Sequence, residues 1–199
     1  MRLVIGVTGA SGARYAERAL WLLSRAVSSA LPLSDEIGFD PTLDIHWVAS
    51  ANAAQVWQAE LREPMPDAIA GLRRWDRHDF AAPFASGSNP PDALVLLPCS
   101  MSSLARVAHG GGDDLIARAC EVALKERRKL ILVVRETPLS LIHLRNMIAA
   151  TEAGATILPA VPSFYAGVET LDQAIDTVLA RVFDHVGVAH RLLPRWGSA

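Results

Sequence analysis

The chain has 199 residues, 51% of them hydrophobic, which suits one substantial buried core and predicts a single domain over 1–199. The formal net charge is -2, with acidic and basic residues interleaved, which excludes a broad electrostatic footprint for nucleic acid or an anionic membrane, so any phosphate recognition must be local. Two cysteines, Cys99 and Cys120, are too few for a disulfide framework and lack the close spacing of a zinc site; both are expected as small core residues in a reduced, cytoplasmic setting.

The first apolar run, 3–7, is much shorter than a signal-peptide core, and no stretch approaches the length of a membrane span. A helical pattern follows over 14–27. Further apolar runs at 45–48, 93–97 and 130–134 alternate with helical patterns at 52–61, 115–125 and 141–153, and the chain closes with a short strand at 156–158 and a helix over 171–186. The strands are continuously apolar instead of alternating, which implies a sheet covered on both faces. The strand and helix rhythm implies parallel crossover units, hence a three-layer doubly wound α/β fold, Rossmann-like or flavodoxin-like in its layering. Residues 28–44 mix Pro, Gly, Ser and acidic side chains and read as a loop insertion, not a domain boundary.

Between the first strand and helix lies Thr8-Gly9-Ala10-Ser11-Gly12. Small residues in that context let backbone amides and a helix amino terminus face a phosphate, although tight helix packing also selects glycine. The turn lacks both the complete dinucleotide fingerprint and the Lys of an NTPase loop, which favours a mononucleotide. The strand at 93–97 delivers Pro98-Cys99-Ser100-Met101-Ser102-Ser103 to the carboxyl end of the sheet, where open α/β sheets bind ligands, and a helix is expected to follow. Helix capping is the plain alternative for these serines. Arg118 stands on a helix, Lys125-Glu126-Arg127-Arg128 closes it, and the next buried strand delivers Arg135-Glu136-Thr137-Pro138, where an arginine is costly to place unless paired. Arg181 and Asp184 can be a solvated pair, Lys125 to Arg128 the cationic end of a helix, and Phe164 and Tyr165 ordinary packing.

These segments together resemble the UbiX-type flavin prenyltransferases, within the flavin-containing cysteine decarboxylase-like proteins. The likeness rests on Gly9-Ala10-Ser11-Gly12, Ser50, Ser86-Gly87-Ser88, Leu97-Pro98-Cys99-Ser100-Met101, Lys125-Glu126-Arg127-Arg128, Arg135-Glu136-Thr137-Pro138-Leu139, Pro159-Ala160-Val161-Pro162-Ser163-Phe164-Tyr165 and Arg195-Trp196. It implies that Gly9, Ala10, Ser11, Ser50, Ser100, Met101, Ser102, Ser103 and Arg135 hold FMN, used in its reduced form. It further implies that Tyr165 and Arg181, with Arg118, Lys125 and Trp196, bind dimethylallyl phosphate. Glu136, Lys125 and Ser11 become the catalytic candidates: Glu136 for proton movement, Lys125 for the leaving phosphate, and Trp196 for an apolar wall that tolerates a cation.

The implied reaction joins the dimethylallyl group to N5 and C6 of the flavin, without a metal, making a cofactor for a UbiD-type decarboxylase. The implied assembly is a homo-oligomer, a dodecamer in relatives. The sequence departs from the resemblance at Ala51, where a lysine is usual, at Ser102-Ser103 in place of Lys-Thr, and in the Gly110-Gly111-Gly112 loop. Two other functions share the fold: an FMN-dependent cysteine-type decarboxylase and a non-catalytic FMN-binding regulatory subunit. His109, alone in a glycine-rich loop, is read as exposed and without a role.

Overall fold

A computed structural model describes residues 1–28, 36–165, 167–195 and 197. Strand β1 (Arg2–Val7) leads to helix α1 (Ala13–Val27), β2 (Asp44–Ala49) to α2 (Ala53–Leu61), and β3 (Arg73–Trp75) to a single 3₁₀ turn, Pro83–Ala85. Then come β4 (Ala93–Cys99), α3 (Met101–His109), α4 (Leu115–Lys125), β5 (Lys129–Val134), α5 (Leu141–Glu152), β6 (Thr156–Ile157) and α6 (Leu171–Val186). The strands form one sheet in the order β3-β2-β1-β4-β5-β6, every neighbouring pair parallel. This is the doubly wound order, and its reversal point lies between β1 and β4.

Side chains alternate across a strand, so each continuously apolar strand feeds two cores. Leu3, Ile5, Val7, Val95, Leu97, Ile131 and Val133 pack under α1, α2 and α6. Val4, Leu94, Leu96, Leu130, Leu132 and Val134 pack under α3, α4 and α5. Leu96 and Phe183 are both essentially inaccessible, and truncating either to Ala would cost about 2–5 kcal/mol in lost burial and cavity formation. Cys99 and Cys120 are buried and unbridged, as expected.

Polar ends fix the helix boundaries. Asp114 accepts the Ala117 backbone N–H at 2.9 Å and starts α4, while Thr170 and Gln173 form a reciprocal capping box on α6. Strand β3 was not expected. Its Arg73-Arg74-Trp75 is neither apolar nor alternating, and it holds the sheet edge through parallel pairing with β2 and a 2.8 Å hydrogen bond from Trp75 Nε1 to His46 Nδ1. Within the 28–44 insertion, residues 29–35 lie outside the described residues. Beyond them Ile37 is buried in the first core and bridges His190, so this flank packs onto the fold.

Candidate functional site

The chain leaves β1 toward one face of the sheet and β4 toward the other, which opens a crevice at their carboxyl ends. One buried hydroxyl stitches this point. Thr8 Oγ1 donates to the Pro98 carbonyl at 2.7 Å and accepts the Ser100 N–H at 2.9 Å, so the two loops share a fixed spacing. Gly9 permits a close approach, since a Cβ there would lie 2.7 Å from Asn52 Cβ. Gly12 has φ 119°, a left-handed conformation that side chains strain to adopt, and it turns the chain into α1.

Ser100 caps α3: its Oγ accepts the Ser103 N–H at 3.2 Å and donates to Ser103 Oγ at 3.0 Å. The capping reading therefore holds for Ser100. It does not exhaust these serines, because Ser100, Ser102 and Ser103 also line a cavity of about 200 Å³ with Gly9, Ser50 and Arg77. Asp113 and Asp114 line it too, but both lie against Arg106 and Asp114 caps α4, so the hydroxyls, Arg77 and the positive end of a helix remain as a donor set suited to an anion such as a phosphate. Ala10 is buried in the adjoining turn, and Met101 occupies the first turn of α3, half-buried.

A second cluster sits beside it. Arg135, arriving from β5, donates Nε to the Ser11 carbonyl at 2.9 Å. Glu60, at the end of α2, accepts the backbone N–H groups of Gly12 and Ala13, at 2.9 and 2.8 Å to one carboxylate oxygen. Burial alone would raise the Glu60 carboxyl, but hydrogen bonds from Ser11, Gly12 and Ala13 and the charge of Arg135 outweigh it and hold the group below the ordinary carboxylate range. The amino terminus of α1 thus already carries an anion, and no local pattern marks Glu60, which lies 48 residues from Gly12 along the chain.

Tyr165 and Arg181 line a separate cavity of about 550 Å³, with Ser163, Thr177, His185 and Leu193 among its walls. Arg181 also makes the expected pair with Asp184, at 2.9 Å. Burial pushes the Asp184 carboxyl up, but hydrogen bonds from Arg195 and His190, and their charges, prevail and lower it. Arg181 is therefore anchored at the mouth of this cavity.

Other sequence-predicted residues stand apart. Arg118 donates to the Ala85 carbonyl at 2.9 Å and pairs with Glu121 at 3.2 Å, and Lys125 pairs with Glu126, all on or beside α4. Glu136 is exposed at the end of β5 and accepts the Thr137 N–H at 2.9 Å. Trp196 lies outside the described residues. His109 is tied to α5, with its Nε2 3.0 Å from Asn146 Oδ1.

The family model described as Flavoprotein matches residues 1–183. The flavin prenyltransferase UbiX of Pseudomonas aeruginosa is 41% identical over 200 residues, spanning 99% of this chain and 94% of that protein. The crystal structure of AnUbiX (PadA1) in complex with FMN and dimethylallyl pyrophosphate superposes with a TM-score of 0.86 at 37% identity, covering 100% of this chain and 98% of the other. A dodecameric FMN-dependent UbiX-like decarboxylase from Escherichia coli O157:H7 gives a TM-score of 0.84 at 37% identity, with 100% of both chains covered. The expected three-layer fold is confirmed, and the chain belongs to the flavoprotein family, among its UbiX-type flavin prenyltransferases.

Proposed function

We propose that the chain binds reduced FMN and joins a dimethylallyl group from dimethylallyl phosphate to N5 and C6 of the flavin, yielding prenylated FMN. The observation that carries this reading is the pair of cavities, one at the β1–β4 crevice lined by Ser50, Ser100, Ser102 and Ser103, the other lined by Tyr165 and Arg181. A binder of FMN alone has no use for a second anion-suited site. The relative crystallised with FMN and dimethylallyl pyrophosphate, matched over the whole chain, supports the same pairing of ligands.

In this reading Gly9, Ala10, Ser11, Ser50, Ser100, Met101, Ser102, Ser103 and Arg135 hold the flavin. The donor set at the crevice fits its phosphate, and Gly9 leaves the room a side chain would fill. When bound, the reduced flavin supplies the nucleophilic ring atoms. The protein supplies charge and exclusion of water. Departure of an allylic phosphate builds negative charge on its oxygens, which Arg181, Lys125 and Arg118 stabilise by charge-assisted hydrogen bonds. Tyr165 orients the same phosphate; Trp196, which lies outside the described residues, is assigned the apolar wall by residue type alone. Glu136, exposed beside Arg135, takes up and returns protons, and Ser11 positions its neighbours through the turn it shares with Arg135 and Glu60.

Arg118 and Lys125 sit on α4 and line neither cavity, an arrangement suited to a site completed by another copy of the chain. Leu141, Ile142, Leu144 and Ile148 of α5 are exposed and apolar, which supports a homo-oligomer, with twelve subunits as in the Escherichia coli relative. No described helix is long and apolar enough to cross a membrane. The proposed compartment is the cytoplasm, and the proposed recipient of the product is a UbiD-type decarboxylase. Anaerobic turnover with reduced FMN and dimethylallyl phosphate tests the activity through release of inorganic phosphate: release that requires both substrates supports it, and none from a flavin-loaded protein overturns it.

A further inference from the structure

Two arginines line the crevice cavity, and their situations differ. Arg106 lies 3.0 Å from Asp114 and 3.8 Å from Asp113, and Asp114 is the buried cap of α4, so this cation is committed to holding α3 against α4. Arg77 is half-buried, yet its guanidinium makes no ion pair or hydrogen bond with any described residue. Its backbone is fixed, since the Arg77 carbonyl accepts the Leu115 N–H at 2.7 Å.

Arg77 also lines a second cavity, of about 540 Å³, and the two cavities share Ser50, Ala51 and Arg77. The other arginine of that second cavity, Arg74, is occupied by Asp67 at 2.7 Å and by the Pro66 carbonyl at 2.9 Å. Ala51 contributes no charge. An arginine whose forked donors meet no acceptor among the described residues can give them to a phosphate monoester, whose several oxygens accept them in pairs.

We propose that Arg77 grips the phosphate of FMN from the Ser50 side of the crevice, and so determines that the protein takes the phosphorylated flavin and not riboflavin. The assignment rests on the flavin reading above. The same chemistry would suit the phosphate of the allylic substrate, but the walls that Arg77 shares are Ser50, Ser100, Ser102 and Ser103, not Tyr165 and Arg181.

The experiment titrates the wild-type protein, Arg77→Ala and Arg77→Lys with FMN and with riboflavin, following flavin fluorescence, and measures KM for dimethylallyl phosphate. The expected result is a loss of about 10- to 100-fold in FMN affinity for Arg77→Ala, the scale of a charged hydrogen bond. Riboflavin affinity and KM for dimethylallyl phosphate stay unchanged, and Arg77→Lys recovers part of the loss. Unchanged FMN affinity, or an equal fall for riboflavin, overturns the assignment while leaving the flavin reading intact. A raised KM with FMN affinity preserved overturns it in favour of the allylic phosphate. Failure of the wild type to bind either flavin overturns the underlying reading as well.

Discussion

Glu60 sits on the backbone nitrogen of Gly12, its two carboxylate oxygens 3.1 and 2.9 Å away. The first helix amino terminus of the sheet, the usual place for a phosphate in this topology, is thus held by the protein's own anion. The amino terminus of α3, whose serines line the crevice cavity, is the one proposed for the flavin phosphate. This division explains why Ser11 and Arg135 lie near the crevice without lining its cavity.

Replacing Glu60 by Gln removes that internal charge at constant volume. The expected cost is about 0.5–2 kcal/mol at neutral pH, the scale of losing a helix-terminal acceptor. Because the folded carboxyl is held below its ordinary value, its contribution is complete above the unfolded value and vanishes as pH falls through the folded one. Urea denaturation of both proteins down through the acid range should therefore show the difference closing, and a difference independent of pH would contradict the assigned charge.

Thr8 links β1 to β4 with one hydroxyl. Thr8→Val keeps the shape and strands the Ser100 N–H and the Pro98 carbonyl, so stability should fall by about 1–3 kcal/mol. Thr8→Ser should recover most of it. Equal denaturation midpoints for Val and wild type would show that the bridge contributes nothing.

Arg181 faces the cavity with Tyr165 and is anchored by Asp184. Arg181→Ala should raise KM for dimethylallyl phosphate by about tenfold or more, as expected for a lost charged hydrogen bond, and leave FMN affinity unchanged. Steady-state kinetics beside a flavin titration separates the two effects. A loss confined to FMN binding would reassign the residue.

Burial pushes the Cys99 thiol up to about 12 and raises Cys120 well above its ordinary value as well. Neither is a nucleophile near neutrality. A disulfide reagent should modify the native protein slowly at both positions and rapidly after guanidinium unfolding; fast native labelling at Cys99 would show the crevice to be open to its sulfur.

Much of this fold was legible because apolar runs and helix periods are local. The limits of α4 and α6 follow from their patterns and agree with the expected 115–125 and 171–186. Strand β3 was not legible: an edge strand of Arg73-Arg74-Trp75 owes its place to pairing with β2 and to His46, contacts that no local period encodes. The same holds for the site. Gly9, Ser50, Ser100, Ser102 and Ser103 could be named from their positions at strand ends, and the fold brings them to one cavity. Glu60 and Arg77 could not, because an acidic residue on an exposed helix and an arginine in a charged loop look like solvated surface until tertiary structure sets one on Gly12 and the other beside Ser50. Lys125 and Arg118 mark the converse, named from the sequence but apart from both cavities within one chain.

The mass of the flavin after anaerobic incubation with reduced FMN and dimethylallyl phosphate tests the proposed chemistry most directly. Extracted flavin should be heavier than FMN by one prenyl group, in an amount that grows with the protein added. Flavin of unaltered mass, recovered from folded protein that had bound both FMN and dimethylallyl phosphate, would contradict the transferase reading.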